Sequence, residues 1–118
     1  MKRTLNIMTC EGRHPIPKAD DGGIFPMVIE RPTDGEWMRK HAEEELCKMF
    51  DCDPDYGLGD SEFNEFKVNL FVTGFTPATL AIVAACVRHS IPLTCWHYDA
   101  ATGDYWAQPF VDVDGEVI

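Results

Sequence analysis

Hydroxyl side chains and a glycine are concentrated in one short turn, Thr-Gly-Phe-Thr-Pro-Ala-Thr, at residues 73–79. A predicted strand leads into this turn and a predicted helix leaves it. The hydroxyl groups of Thr73, Thr76 and Thr79 are hydrogen-bond donors, and a helix start leaves backbone N–H groups near Ala78 and Thr79 free to bind an anion. One interpretation of the turn is therefore a cradle for a small phosphorylated ligand.

The same turn also has a purely structural interpretation. Gly74 can adopt backbone angles that are closed to other residues. Thr76 is a good N-cap, and Pro77 suits the first helical position. The turn is neither a G-x-G-x-x-G fingerprint nor a Walker loop, so the sequence does not support a redox dinucleotide or an NTPase, and we expect no cofactor.

A second group of candidate residues contains four of metal-ligand type: Cys86, His89, Cys95 and His97. The first two are neighbours on a predicted helix, and the last two share one face of a predicted strand. The two pairs need not face each other, and no C-x2-C knuckle is present. Core packing with one exposed histidine is therefore favoured over zinc, and we expect no metal.

Two further pairs suggest catalysis. Cys10 with His14 has the residue types of a thiol nucleophile and its base. His97 and Asp99 alternate on one strand face and suit acid–base chemistry. A lone histidine on a surface loop and solvated polar groups on a hairpin are the competing interpretations of these two pairs.

Strands and helices must position these residues, and their pattern predicts an α/β fold. We predict strands at 3–10, 67–73 and 93–98, helices at 33–50 and 76–90, a short edge strand or extended arm within 24–32, and a hairpin partner at 104–110. Thr33 or Asp34 would cap the first helix. The second helix is apolar on almost every side, which predicts burial on two sides, with a second subunit as a candidate cover.

The second helix and the strands on either side of it form a βαβ unit with short connections, which predicts parallel strands. The turn at 73–79 then lies at the carboxyl end of its strand, the edge where open α/β sheets usually bind ligands. We therefore predict a small Rossmann-like, mostly parallel sheet flanked by helices and ending in a C-terminal hairpin.

Length and composition limit the alternatives. The chain has 118 residues, of which 45% are hydrophobic, as expected for a single domain spanning 1–118. A net charge of -10 argues against general nucleic-acid binding. An odd number of cysteines, five, indicates reduced thiols. No apolar run resembles a signal peptide or a membrane span, so we expect a cytoplasmic protein with no membrane partner.

The stretch Val-Thr-Gly-Phe-Thr-Pro-Ala-Thr-Leu, with the strand at 93–98 and the hairpin that follow it, resembles small CRISPR-associated Rossmann-fold (CARF) domains and related ring-nuclease-like proteins. The resemblance covers about half the chain. It implies a dimer that binds cyclic oligoadenylates at the strand ends. By position, the matching loops are Thr9 and Cys10 after the first strand and Thr73, Gly74 and Thr76 after the second.

The expected function is binding of a small ligand, such as a nucleotide or cyclic oligonucleotide, through Thr9, Cys10, Thr73, Gly74, Thr76 and Thr79. A non-enzymatic homodimeric interaction module is the alternative from another class. A weaker alternative is a phosphodiesterase-like ring nuclease that uses Thr9, Cys10, His14 or His97.

Overall fold

The computed structural model describes residues 4–12, 15–52 and 66–118, which form one five-stranded sheet and two helices. The elements in chain order are β1 (Thr4–Cys10), β2 (Gly23–Phe25), α1 (Gly35–Phe50), β3 (Lys67–Phe71), α2 (Thr76–Arg88), β4 (Leu93–Asp99) and β5 (Asp104–Val111). The predicted elements are present, although β3 ends earlier than 73 and α2 earlier than 90. Most of the acidic stretch at 51–65 lies outside the described residues.

The strand order in the sheet is β2-β1-β3-β4-β5. β2, β1, β3 and β4 are parallel to one another, and β5 pairs with β4 in the antiparallel direction. The prediction of an α/β fold with a mostly parallel sheet and a C-terminal hairpin is therefore confirmed. The short edge strand predicted within 24–32 is β2, which is three residues long.

Both helices lie on one face of the sheet and pack against each other. The strand residues on this face are apolar and buried, for example Leu5 and Ile7 of β1 and Leu70 of β3. α1 contributes the buried stripe Met38, Ala42, Leu46 and Phe50, which recurs at the helical spacing expected for a single buried face. The hydrophobic core therefore lies between this helix pair and the sheet.

Within the described residues, α2 is buried on one side. The predicted burial of its second side, for which a second subunit is the candidate cover, stays a prediction. The buried residues of α2 are Ala78, Ala81, Ile82, Ala85 and Cys86. Leu80, Ala84 and Val87 recur at helical spacing on the other side and are exposed, Leu80 by 61%. The helix is apolar all round because its outer stripe is apolar too, and the described residues do not cover that stripe.

The connection between β1 and β2 covers part of the opposite face of the sheet. Ile16 and Ala19 of this connection pack against Met8, Phe71 and Trp96. Further along the same face, Asn69 donates a hydrogen bond to Asn6, and the Trp96 indole donates one to Asn69. These bonds link three neighbouring parallel strands, so they help to fix the strand register.

The C-terminal residues fold back onto the outer edge of β5. The hairpin turn before β5 contains Gly103 with φ of 72°, a left-handed conformation that suits glycine. After β5, Val111 forms an antiparallel bridge with Val117, and the Ile118 N–H donates to the Phe110 carbonyl. The tail therefore pairs with the last residues of the edge strand. Among the described residues, no helix is both long and apolar enough to cross a membrane.

Candidate functional site

The carboxyl ends of β1 and β3 meet at one point of the sheet edge. The two strands are parallel neighbours, with Met8 opposite Phe71. Beyond this pair, the Thr73 N–H donates to Thr9 Oγ1 at 3.3 Å. The Cys10 N–H donates to Thr73 Oγ1, also at 3.3 Å. Side chains therefore continue the contact between the two strands after the regular ladder has ended.

The chain leaves these two strand ends toward opposite faces of the sheet. After β1 it crosses the face that carries Met8 and Phe71, and after β3 it enters α2 on the helix face. Such a divergence is a topological switch point, and the crevice outside the strand ends at such a point is the usual ligand site of open α/β sheets. Residues 9–10 and 73–79 lie at this point.

Thr79 joins α2 to the same cluster. Its Oγ1 lies 2.9 Å from Thr9 Oγ1, and one hydroxyl donates to the other. Thr9 Oγ1 already accepts the N–H of Thr73, so its own proton is free to go to Thr79. In that arrangement, the Thr79 hydroxyl proton remains available for a ligand.

The start of α2 differs from its prediction. Phe75, not Thr76, is the N-cap, and it makes no side-chain capping bond. Thr76 is the first helical residue, which places Pro77 second. The N–H groups of Ala78 and Thr79 are not free, because both donate to the Phe75 carbonyl at 3.1 and 3.2 Å. Gly74, with φ of 70°, has the left-handed backbone that sequence reasoning allowed for it.

The six predicted site residues divide into a buried and a more exposed group. Thr9 and Cys10 are fully buried, and Thr73 is nearly so. Gly74 and Thr76 are exposed, and Thr79 is half-buried. The buried group holds the two strand ends and the helix together, so a ligand would contact only Gly74, Thr76 and Thr79 directly.

The segment that carries this turn is free of acidic residues. No Asp or Glu occurs from residue 66 to residue 98, although the whole chain contains 20. The segment contains one lysine, Lys67, and one arginine, Arg88. Glu11 follows β1, and its carboxylate accepts the Gly23 N–H at 2.7 Å. The turn and the two elements that flank it therefore carry no carboxylate of their own, and Glu11 and Asp99 are carboxylates at the ends of the neighbouring strands β1 and β4.

The four potential metal ligands do not converge. Cys86 and Cys95 lie in the core, where burial, with the neighbouring Cys95 as a second cause, raises the pKa of the Cys86 thiol. His89 is hydrogen-bonded to Glu43 of α1, and His97 to Gln108 of β5. Across residues 4–12, 15–52 and 66–118, no cluster of three His, Cys, Asp or Glu side chains could hold a metal ion.

The candidate catalytic pairs receive little support from their surroundings. Cys10 is the last residue of β1, as predicted, and is fully buried, and His14 lies outside the described residues. Asp99 accepts the Ala101 N–H at 2.9 Å and so helps to form the hairpin turn. His97 Nε2 is 2.8 Å from Gln108 Oε1, and the His97 ring lies against the Trp106 ring. Cys10 contacts the threonine cluster through its backbone, since its N–H donates to Thr73 Oγ1 and its carbonyl accepts from the same hydroxyl, and neither bond involves its thiol.

Sequence reasoning did not predict that the Thr9 hydroxyl would link β1 to both Thr73 and Thr79. A threonine at a strand end gives no signal that its hydroxyl will join a second strand and a helix, because both contacts come from residues more than sixty positions away. The only available signal was its place at the carboxyl end of a predicted strand.

Comparison with known proteins finds no match to a family model, a curated protein or a solved structure.

Proposed function

We propose that this chain binds a small anionic ligand of the nucleotide class at the carboxyl ends of β1 and β3. One observation carries this proposal. Thr9, Thr73 and Thr79 bring two strand ends and a helix start together at a topological switch point. The turn at Gly74 lies directly beside this cluster and is open to solvent.

Backbone N–H groups would supply most of the anion contacts. Among the described residues, the N–H groups of Gly74, Phe75 and Thr76 have no hydrogen-bond partner. Gly74 has a left-handed backbone and Phe75 an extended one, and their N–H groups precede the first turn of α2, where the positive end of the helix dipole favours an anion. The Thr76 hydroxyl, and the Thr79 hydroxyl proton when Thr9 donates to Thr79, add side-chain donors. No acidic residue occurs from 66 to 98, so the turn itself brings no carboxylate to the anion.

A cyclic oligoadenylate is the ligand that the resemblance to CARF domains favours. Such a ligand presents several phosphates, and the turn supplies donors for one of them per chain. A second copy of the chain would therefore enlarge the site. Cleavage of the ligand is the weaker form of the proposal, because Thr9 and Cys10 are fully buried and cannot reach a ligand as nucleophiles without rearrangement.

A thermal-shift screen with nucleotides and cyclic oligoadenylates tests the proposal. A ligand at about 100 times its dissociation constant stabilises the folded state by about 2.7 kcal/mol, which gives a clear rise in melting temperature. Thr76→Val removes one exposed hydroxyl and should reduce the shift. Thr102→Val, on the exposed hairpin turn, is the matched control and should leave the shift unchanged.

The proposal fails if none of these compounds raises the melting temperature of the wild-type chain. Ligand hydrolysis is measured separately, by incubating each stabilising compound with the protein and separating the products by chromatography. Stabilisation without new products supports binding alone, whereas linear or shortened products support the ring-nuclease form.

We propose a homodimeric interaction module as the second candidate function. Its support is the exposed apolar stripe of α2, formed by Leu80, Ala84 and Val87. Tyr98 and Trp106 add exposed aromatic surface on the hairpin, at 58% and 52% exposure. Exposed apolar patches of this kind often mark protein interaction sites.

A further inference from the structure

The C-terminal end of α1 forms a Schellman motif. Asp51 ends the helix in the left-handed conformation, with φ of 58° and ψ of 45°. The Asp51 N–H donates to the Lys48 carbonyl at 3.1 Å, and the Cys52 N–H donates to the Cys47 carbonyl at 2.9 Å. These two bonds are the pair that defines the motif.

A Schellman motif brings two particular side chains together, and here both are cysteines. The residue two positions beyond the helix usually makes an apolar contact with the residue whose carbonyl it caps. In α1 these residues are Cys52 and Cys47, and the Cys52 N–H donates to the Cys47 carbonyl at 2.9 Å. Both thiols are partly exposed and pack against the edge of the hydrophobic core.

We propose that Cys47 and Cys52 form a redox modification site that switches reversibly between a dithiol and an intrachain disulfide, with a small-molecule disulfide such as oxidised glutathione as the oxidant. The backbone bond between the two residues closes the turn at Asp51, and the Schellman motif brings the side chains of these two positions together. The switch is independent of the ligand site at the strand ends.

The exchange is balanced in two steps. The thiolate of one cysteine attacks a sulfur of the small disulfide, forming a mixed disulfide and releasing one small thiolate. The thiolate of the other cysteine then attacks the protein sulfur of the mixed disulfide, closing the intrachain bond and releasing the second small thiolate. Two electrons pass to the small disulfide, and the two thiol protons are taken up by the released thiolates.

Ionisation of Cys52 sets the pH dependence of the reaction. Burial, followed by the neighbouring Cys47 and then Asp51, raises the pKa of the Cys52 thiol to about 11. Only the thiolate reacts, so Cys52 is almost entirely in its unreactive thiol form at pH 7. The rate of the step in which Cys52 attacks should therefore increase about tenfold per pH unit while the pH stays below this pKa.

The other three cysteines provide an internal control. All five thiols are free in the structure. Cys10 and Cys86 are fully buried and Cys95 is 5% exposed, so a dissolved disulfide cannot reach them while the protein is folded. Burial raises the pKa of the Cys95 thiol as well, which lowers its reactivity further.

The test exposes the native protein to oxidised glutathione at pH 9 and then alkylates the remaining thiols after denaturation. Mass spectrometry should find three alkylated cysteines, a loss of two hydrogens, and a bond that joins residues 47 and 52. Cys47→Ser and Cys52→Ser should each abolish this bond and leave at most a mixed disulfide with glutathione. Cys95→Ser should form the bond as wild type does.

A trivalent arsenical probes the reduced pair, since it needs two adjacent thiols. Phenylarsine oxide should bind wild type and Cys95→Ser with a stoichiometry of one. It should not bind Cys47→Ser or Cys52→Ser. Five free thiols after prolonged exposure of the native protein to oxidised glutathione would overturn the proposal, as would a disulfide that joins any other pair of cysteines.

Discussion

At the scale of the residue, the threonines of the strand ends have different roles although they look alike in the sequence. Thr79 is half-buried and its hydroxyl bonds to Thr9, whereas Thr76 is exposed and makes no capping bond. Thr73 joins β3 to β1 through its backbone and its hydroxyl. Substitution by valine removes the hydroxyl with little change in shape, so it can separate these roles.

Thr79→Val should destabilise the fold more than Thr76→Val. Loss of the Thr79 hydroxyl leaves Thr9 without its side-chain partner, which costs about 1 kcal/mol. Thr76→Val removes an exposed hydroxyl from the first helical position and should change stability by less than about 0.5 kcal/mol. Denaturation by urea measures both free energies of unfolding. Equal losses for the two variants would contradict the assignment of Phe75 as the N-cap.

At the scale of the element, the sequence predicts the helices and strands well where their periodicity is strong. The apolar stripe of α1 is explained by burial against the sheet, and the apolar run of β3 by its central position within the sheet. The start of α2 was placed correctly, but its cap was not, because the path of the chain through Gly74 decides which residue precedes the first helical turn. That path depends on contacts with β1, which are distant in the sequence.

The cap of α1 is a case in which the structure decides between two sequence candidates. Asp34 Oδ1 accepts the Trp37 N–H at 3.0 Å, so Asp34 rather than Thr33 is the N-cap. Asp34→Ala should therefore lower the free energy of unfolding by about 1 kcal/mol. Thr33→Ala, one position earlier and also exposed, is the matched control and should have little effect. Chemical denaturation of the two variants makes the comparison, and a larger loss for Thr33→Ala would refute the assignment.

The candidate site was predicted only in part. Its location followed from the βαβ pattern, since the carboxyl ends of parallel strands share one edge of the sheet. The sequence did not predict which site residues are buried, because burial at a strand end depends on how the helix packs. Thr9 and Cys10 are buried, whereas Gly74 and Thr76 are exposed. The proximity of Cys47 and Cys52 was also missed, since it requires the left-handed turn at Asp51.

At the scale of the whole molecule, charge and apolar surface are separated. The segment from 66 to 98 contains no acidic residue and includes the exposed stripe Leu80, Ala84 and Val87. The net charge of -10 makes two copies repel each other, and this repulsion is weakest where carboxylates are absent. Self-association through the outer side of α2 is the arrangement that we propose, because α2 itself contains no carboxylate.

We expect a dimer in solution with a mass twice the 13.3 kDa of one chain. Leu80→Glu places a carboxylate in the centre of the apolar stripe and should shift the protein to monomer. Val113→Glu, at a position that is 76% exposed on the C-terminal tail, is the control and should remain dimeric. Light scattering at micromolar concentration measures the mass. A wild-type monomer at these concentrations would remove the interaction-module proposal.

The fold-back of the C-terminal residues has a consequence for aggregation. An open edge strand offers unpaired N–H and C=O groups to the strands of other molecules. One edge of this sheet is the three-residue strand β2, too short to serve as a good template. On the other edge, Val117 and Ile118 occupy the end of β5, and Pro109 has no N–H to offer. The tail thus covers the end of this edge, and removal of residues 116–118 should expose more of it and make the protein more prone to form fibrillar aggregates.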